Sequence, residues 1–285
     1  CPNCYTGSGA DKRDKGKMDF ELYKRLIDEI GEYLIKVNLY FWGEPFLHPR
    51  LFDMISYASD RNIGTCVSTN FLIFSEQKAQ KLLASGLDHL IICFDGVDQK
   101  TYESYRRGGS FATFVKNMEI LSRVRKERKI HPTFVDVQFL VFNYNRHQVH
   151  EARKMIEPYG FDRFIPKMDA EQTEPYDPKM FRSNVPCYWL WLVPTVSWDG
   201  TVTPCCDMPP TNFGDLRIHR FTEIWNGERY VEARKLYKYD DPQRSKSMCA
   251  FCHRGPNERY KQELAKKSFP GPRLFFYGAE KPWKE

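Results

Sequence analysis

The chain has 285 residues, of which 41% are hydrophobic and 28% charged. That balance suits one large globular domain, or one large and one small, and excludes a disordered, collagen-like or low-complexity chain. No apolar run approaches the roughly 20 residues that span a bilayer, no signal peptide opens the chain, and a net charge of +6 is mild. The expected location is the cytoplasm, with neither nucleic acid nor membrane as a partner.

The first 167 residues alternate between helical and strand patterns. Residues 18–34 place Phe20, Leu22, Leu26, Ile27, Ile30 and Leu34 at helical spacing. Residues 35–42 read as a strand that ends in the turn Gly43-Glu44-Pro45, and 49–62 as a helix with Pro49 near its start. A short strand at 64–70 precedes a helix at 75–86 with a Ser75 cap and a Gly86 stop. Residues 88–96 form a buried strand closed by Asp95-Gly96. A long helical region, 99–129, is broken near Gly108-Gly109, and its basic run from Arg123 to Lys129 complements a helix end. Strand 132–142, helix 146–160 and strand 161–167 complete this part. Strands alternating with helices of this length indicate βαβ units and a parallel sheet, with the reactive site at the C-terminal strand ends.

The pattern then changes. Residues 168–186 are polar and Pro-rich, which marks a linker. Residues 187–255 hold five of the nine cysteines and four of the six tryptophans. Two short strands, 192–198 and 200–205, meet at Asp199-Gly200, a strong hairpin signal, and 221–237 reads as helix. So short a unit lacks a core of its own, so a metal staple is expected. Residues 256–285 form a basic tail.

Cysteines clustered near both ends of a chain without a secretory signal more often ligate metal than pair. Cys1 and Cys4 lie in the loop before the first helix, a spacing open to redox, zinc or iron–sulfur chemistry. Gly43, Glu44 and Pro45 offer close backbone approach, an acceptor for an ammonium and a fixed turn. Ser68 with Asn70, Cys93 with Asp95, and Asn145 follow at successive strand ends, where a barrel-mouth site needs small polar groups. In the second part twelve residues separate Cys187 from Gly200, four separate Gly200 from Cys205, and Cys249-Ala-Phe-Cys252 follows. Four such thiolates can enclose one tetrahedral zinc or one cubane cluster. Cys206 competes with Cys205, because adjacent strand residues face opposite ways.

Together these motifs resemble the radical S-adenosylmethionine (SAM) superfamily, in its branch with a C-terminal SPASM or twitch domain. Cys1 and Cys4 match the second and third cysteines of the family's Cys-x-x-x-Cys-x-x-Cys, whose first would lie four residues before Cys1, so the chain reads as truncated at its N-terminus. The resemblance implies an α/β fold: a partial (β/α)6 TIM-like barrel over 1–167 lacking its first strand, then a small iron–sulfur domain over 187–255. Gly43, Glu44 and Pro45 match the motif that holds the SAM amino group, with Trp42 where the family usually has Gly. Ser68 and Asn70 match ribose or carboxylate contacts. Cys93-Phe94-Asp95-Gly96 resembles a fourth-strand motif in which Cys93 replaces Ser, and Arg106 or Arg107 is expected to reach SAM or substrate.

The implied cofactors are SAM, a [4Fe–4S] cluster that binds it, and one auxiliary [4Fe–4S] cluster on Cys187, Cys205, Cys249 and Cys252. In the family the first cluster cleaves SAM to a 5′-deoxyadenosyl radical that abstracts hydrogen from substrate. A single auxiliary cluster implies a dehydrogenase-like oxidation, in which that cluster accepts an electron. The alternatives are a peptide- or protein-modifying maturase and, in another class, a zinc-stapled binding protein without catalysis. A small-molecule or peptide substrate and an electron donor such as flavodoxin or ferredoxin are the expected partners. With two of three cluster cysteines, the chain as written is also open to being inactive.

Overall fold

In a computed structural model, the described residues are 1–2, 4–128, 133–168, 187–205, 211–237 and 247–251. The chain divides into two compact units, one of Cys1–Lys12 with Gly31–Thr173, the other of Arg13–Ile30 with Glu174–Glu285.

The first unit is an α/β layer. Its strands are β1 (Lys36–Asn38), β2 (Gly64–Thr69), β3 (His89–Phe94), β4 (Phe134–Val141) and β5 (Arg163–Met168), in that spatial order. Every neighbouring pair is parallel. The connections carry α2 (Leu51–Ser59), α3 (Glu76–Ala84), α4 (Gln99–Tyr105), α5 (Phe111–Glu127) and α6 (Val149–Ile156). Parallel strands need such crossovers, and the helices bury one sheet face. The core there unites Val67, Leu90, Ile92, Phe94, Val137 and Phe139 with Leu82, Phe114 and Leu121 from the helices. Each such side chain contributes about 1.5–3 kcal/mol on burial.

Strand alternation sends the intervening residues to the other face. It carries Cys66 and Ser68 on β2, His89 and Cys93 on β3, Asp136 and Gln138 on β4, and Arg163 on β5. Across it His89 Nε2 lies 2.7 Å from Asp136 Oδ2, while Arg163 Nε and Nη2 each donate to Asp136 at 2.8 Å. Burial pushes the Asp136 carboxyl up, but the hydrogen bonds from Arg163 and His89 outweigh it and hold the group below the ordinary carboxylate range.

The long helical region does break near Gly108-Gly109, into α4 and α5. Gly108 has φ +72, and the Ser110 hydroxyl accepts the Thr113 N–H at 3.1 Å to start α5. The strand expected over 35–42 is confined to β1. Past Leu39, whose N–H still reaches the Cys66 carbonyl at 2.8 Å, the chain turns through Gly43 at φ +135.

The second unit contains α1 (Phe20–Ile30), so this helix belongs with the cysteine-rich part rather than with the sheet. The Glu29 carboxylate explains the attachment. It accepts the N–H groups of Phe221 and Thr222 at 3.0 and 2.9 Å and the Thr222 hydroxyl at 2.7 Å, capping α8 (Phe221–Trp225). Arg25 donates to the Leu216 carbonyl, and Arg13 to Ser197 Oγ at 2.7 Å. The expected hairpin forms from β6 (Thr195–Val196) and β7 (Thr201–Thr203), with Gly200 at φ +84 in its turn. A third strand, β8 (Gly214–Asp215), extends it. The helix expected over 221–237 splits at Asn226-Gly227 into α8 and α9 (Glu228–Lys235), and a short α7 (Trp189–Leu192) follows Cys187.

Candidate active site

The C-terminal ends of β1, β2 and β3 converge on the loop that carries Cys1 and Cys4. That loop is tight: the Cys4 N–H donates to the Cys1 carbonyl at 3.2 Å. A Cβ on Gly7 would stand 2.9 Å from the Cys1 carbonyl oxygen and 3.3 Å from Cys4 Cβ, so glycine there lets the chain close around both cysteines. Tyr5 packs on Trp42 with ring centroids 4.8 Å apart, and Trp42 stacks on Phe41 at 3.9 Å. The tryptophan at this position therefore ties the cysteine loop to the end of β1.

Glu44 sits beside it. Its Oε1 accepts the Thr69 hydroxyl at 2.7 Å and the Phe46 N–H at 3.1 Å, and its Oε2 accepts the Asn70 N–H at 2.8 Å. The carboxylate is thus fixed between two strand ends, with acceptor capacity left for a cation. Pro45 opens the following 3₁₀ turn, as its fixed φ allows. Ser68 Oγ lies 3.4 Å from Cys93 Sγ on the sheet face described above. Asn70 Oδ1 is engaged by the Leu72 N–H at 3.0 Å.

Asp95 and Asn145 are fully buried. Asn145 donates to the carbonyls of Asp95 and Leu140 at 3.1 and 2.8 Å and accepts the Phe142 N–H at 2.6 Å. It clamps the ends of β3 and β4, with both amide hydrogens engaged there. Asp95 accepts the Leu140 N–H at 3.2 Å and, on its other oxygen, Arg106 Nε at 2.5 Å. It holds Arg106 in place. Burial alone would lower the Arg106 pKa, but Asp95, with Cys93 next, raises it above its ordinary value. Burial pushes the Cys93 thiol up. Of the two arginines, Arg106 turns inward and Arg107 is exposed.

Two buried hydroxyls at this end have no hydrogen-bond partner among the described residues: Thr6 Oγ1 in the cysteine loop and Tyr102 Oη. Tyr102 Oη is raised in pKa chiefly by burial and feels Arg106, Asp95, Cys93 and Glu44. Unpaired buried hydroxyls are costly and are expected where a ligand completes them.

In the second unit, Cys205 and Cys249 are buried and both act electrostatically on the buried Tyr230 hydroxyl. That hydroxyl donates to the Thr203 carbonyl at 3.2 Å, just before Cys205. Arg234, also on α9, donates from Nε to the Leu190 carbonyl at 2.9 Å, fixing the helix after Cys187. One helix therefore organises three cysteine-bearing segments. Cys206 and Cys252 lie outside the described residues. Among the described residues no group of three or more Cys, His, Asp or Glu stands at metal-ligand spacing.

The model of the radical SAM superfamily matches residues 1–156, more than half of the chain. The chain belongs to the radical SAM superfamily. A model of the SPASM iron–sulfur cluster-binding domain matches residues 187–254. These two domains imply SAM and [4Fe–4S] clusters as cofactors.

Among curated proteins, the chain is 22% identical to the tungsten-containing aldehyde ferredoxin oxidoreductase cofactor-modifying protein of Pyrococcus furiosus, over 84% of this chain and 80% of that one. It is 26% identical to the mycofactocin maturase MftC of Mycobacterium ulcerans, over 56% of this chain but only 41% of the maturase. Among solved structures, native anSMEcpe with bound AdoMet superposes with a TM-score of 0.60 at 14% identity, covering 95% of this chain and 93% of that one.

The residues of this radical SAM chain fit the implied groups. Thiolates are the ligands iron–sulfur clusters select, and Cys1 and Cys4 share one loop with an unpaired hydroxyl beside them. Glu44 presents a fixed carboxylate at the adjoining strand end. Thr69 and Arg106 are the site residues hardest to foresee. Thr69 alternates toward the helix side, where a strand pattern reads only burial, and Arg106 could not be separated from Arg107 before the end of α4 was placed.

Proposed function

We propose that this protein is a radical SAM enzyme that modifies a peptide or protein substrate by hydrogen-atom abstraction. The observation that carries the reading is the convergence of the Cys1–Cys4 loop with Glu44 and Arg106 at the C-terminal ends of the parallel strands. Cys1 and Cys4, with a third thiolate expected four residues before Cys1, would hold the first cluster. Glu44 would accept the SAM ammonium, with Ser68 and Asn70 beside it. When bound, the cluster and SAM together supply the hydrogen-abstracting radical. Cys187, Cys205, Cys249 and Cys252 would hold the auxiliary cluster. The maturase relative supports a peptide substrate, whereas the cofactor-modifying relative supports only a modification reaction.

A net oxidation is the outcome favoured by the burial of Cys205 and Cys249, since thiolates withdrawn from solvent suit a group that holds an electron better than one that binds substrate. The test is anaerobic incubation of the reconstituted full-length protein with SAM, a reductant and the peptides encoded beside its gene. A peptide product lighter by two hydrogens, formed with 5′-deoxyadenosine, supports the reading. Turnover of small alcohols but of no peptide overturns the substrate class.

A further inference from the structure

We propose that Arg106, held by Asp95, is a positioning residue that donates a charge-assisted hydrogen bond to the Cys1 sulfur and raises the reduction potential of the cluster on the Cys1–Cys4 loop. The inference rests on the cluster assignment just made.

Arg106 leaves the helix at the end of α4, with φ −85 and ψ 62. Its own N–H is satisfied by the Tyr102 carbonyl at 2.9 Å, and its side chain is only 13% exposed. Nε donates to Asp95 Oδ2 at 2.5 Å, and Nη1 donates to Cys1 Sγ at 3.7 Å. A guanidinium is planar, so fixing Nε also fixes the direction of Nη1. Asp95 is fixed in turn by the Leu140 N–H on its second oxygen and by Asn145 on its carbonyl. The chain of support runs from the clamp at the end of β4, through a buried carboxylate, to one cluster ligand.

The physical effect follows from charge. Reduction adds an electron to a cluster that is already anionic through its thiolates. A cation and a donor aimed at a ligating sulfur favour the reduced state, and hydrogen bonds to sulfur are among the determinants of cluster potential. The surroundings are buried, so the charge is poorly screened. A purely structural ion pair would need only the Asp95 contact. The second arm of the fork, directed at Cys1, is what a structural role leaves unexplained.

The experiment is an EPR-monitored titration of the anaerobically reconstituted full-length protein with dithionite. The first cluster is recognised by a signal that changes on adding SAM, and the auxiliary cluster serves as internal reference. In Arg106→Gln, the reduced-to-oxidised ratio of the first cluster at a fixed potential is expected to fall about tenfold, which is about 59 mV for one electron. Arg106→Lys keeps a cation but cannot reach both partners, and is expected to fall between the two. The auxiliary potential should not move. An unchanged first-cluster potential in Arg106→Gln, or an equal shift of both clusters, overturns the proposal. If Arg106→Gln fails to retain its cluster, Arg106→Lys decides, and a wild-type potential there overturns it. A protein with no SAM-responsive signal overturns the proposed function as well, whereas a responsive signal indifferent to Arg106 overturns this inference alone.

Discussion

At the scale of single residues, the site is built by groups that fix one another. Glu44 is useful because Thr69, Phe46 and Asn70 immobilise its carboxylate before any ligand arrives. Glu44→Gln keeps an acceptor for part of that network but loses the charge proposed to meet the SAM ammonium. Charged hydrogen bonds contribute about 1.5–3 kcal/mol, so SAM affinity measured by equilibrium dialysis should weaken about 10- to 100-fold. An affinity equal to wild type would remove Glu44 from the SAM site. Trp42 makes a separate case. The Tyr5–Trp42 contact anchors the cysteine loop, so Trp42→Ala is expected to lower iron retention at the first cluster while leaving the auxiliary cluster intact. Iron and sulfide analysis after gel filtration reads this directly, and unchanged retention would show the contact to be dispensable. The Gly43-Glu44-Pro45 turn and the Cys1–Cys4 spacing are local motifs, which a single sequence displays directly. The clamp made by Asn145 has no local signal, because its partners, the carbonyls of Asp95 and Leu140, become neighbours only when β3 and β4 pair.

At the scale of elements, helices were read more faithfully than strands. The cap at Ser75 and the glycines at 86 and 108 are local signals, and they stand where α3 begins and where α3 and α4 give way to turns. Ser110→Ala removes the acceptor for the Thr113 N–H and should cost about 1 kcal/mol, measured as a shift in urea midpoint at constant slope. The extent of β1 was overestimated because apolar residues past Leu39 serve aromatic packing in the loop rather than a ladder. The His89–Asp136–Arg163 cluster spans three strands and was invisible to a one-dimensional reading. It also makes a pH prediction. Asp136 is lowered in the folded state, so its contribution is present above its unfolded pKa and is lost as pH falls through the folded pKa. Asp136→Asn should therefore destabilise the protein at neutral pH and flatten the loss of stability below about pH 4. Parallel acid limbs for the two proteins in pH-dependent denaturation would contradict this.

At the scale of the whole molecule, the order of strands and helices was enough to anticipate the parallel α/β sheet, and the cysteine spacing enough to anticipate an iron–sulfur domain after it. The placement of α1 was not, because its amphipathic pattern suits any partner. Only Glu29 capping α8 and Arg25 reaching Leu216 settle that it belongs with the cysteine-rich unit. No helix among the described residues is long and apolar enough to cross a membrane.

The central claim is that this chain binds two [4Fe–4S] clusters and cleaves SAM. Its most direct test is anaerobic reconstitution of the full-length protein, followed by iron counting and product analysis after reduction with SAM present. The account predicts about eight irons per chain, with methionine and 5′-deoxyadenosine formed only in the reduced protein. Stoichiometric zinc without iron, or a fully loaded protein that leaves SAM intact, would contradict it.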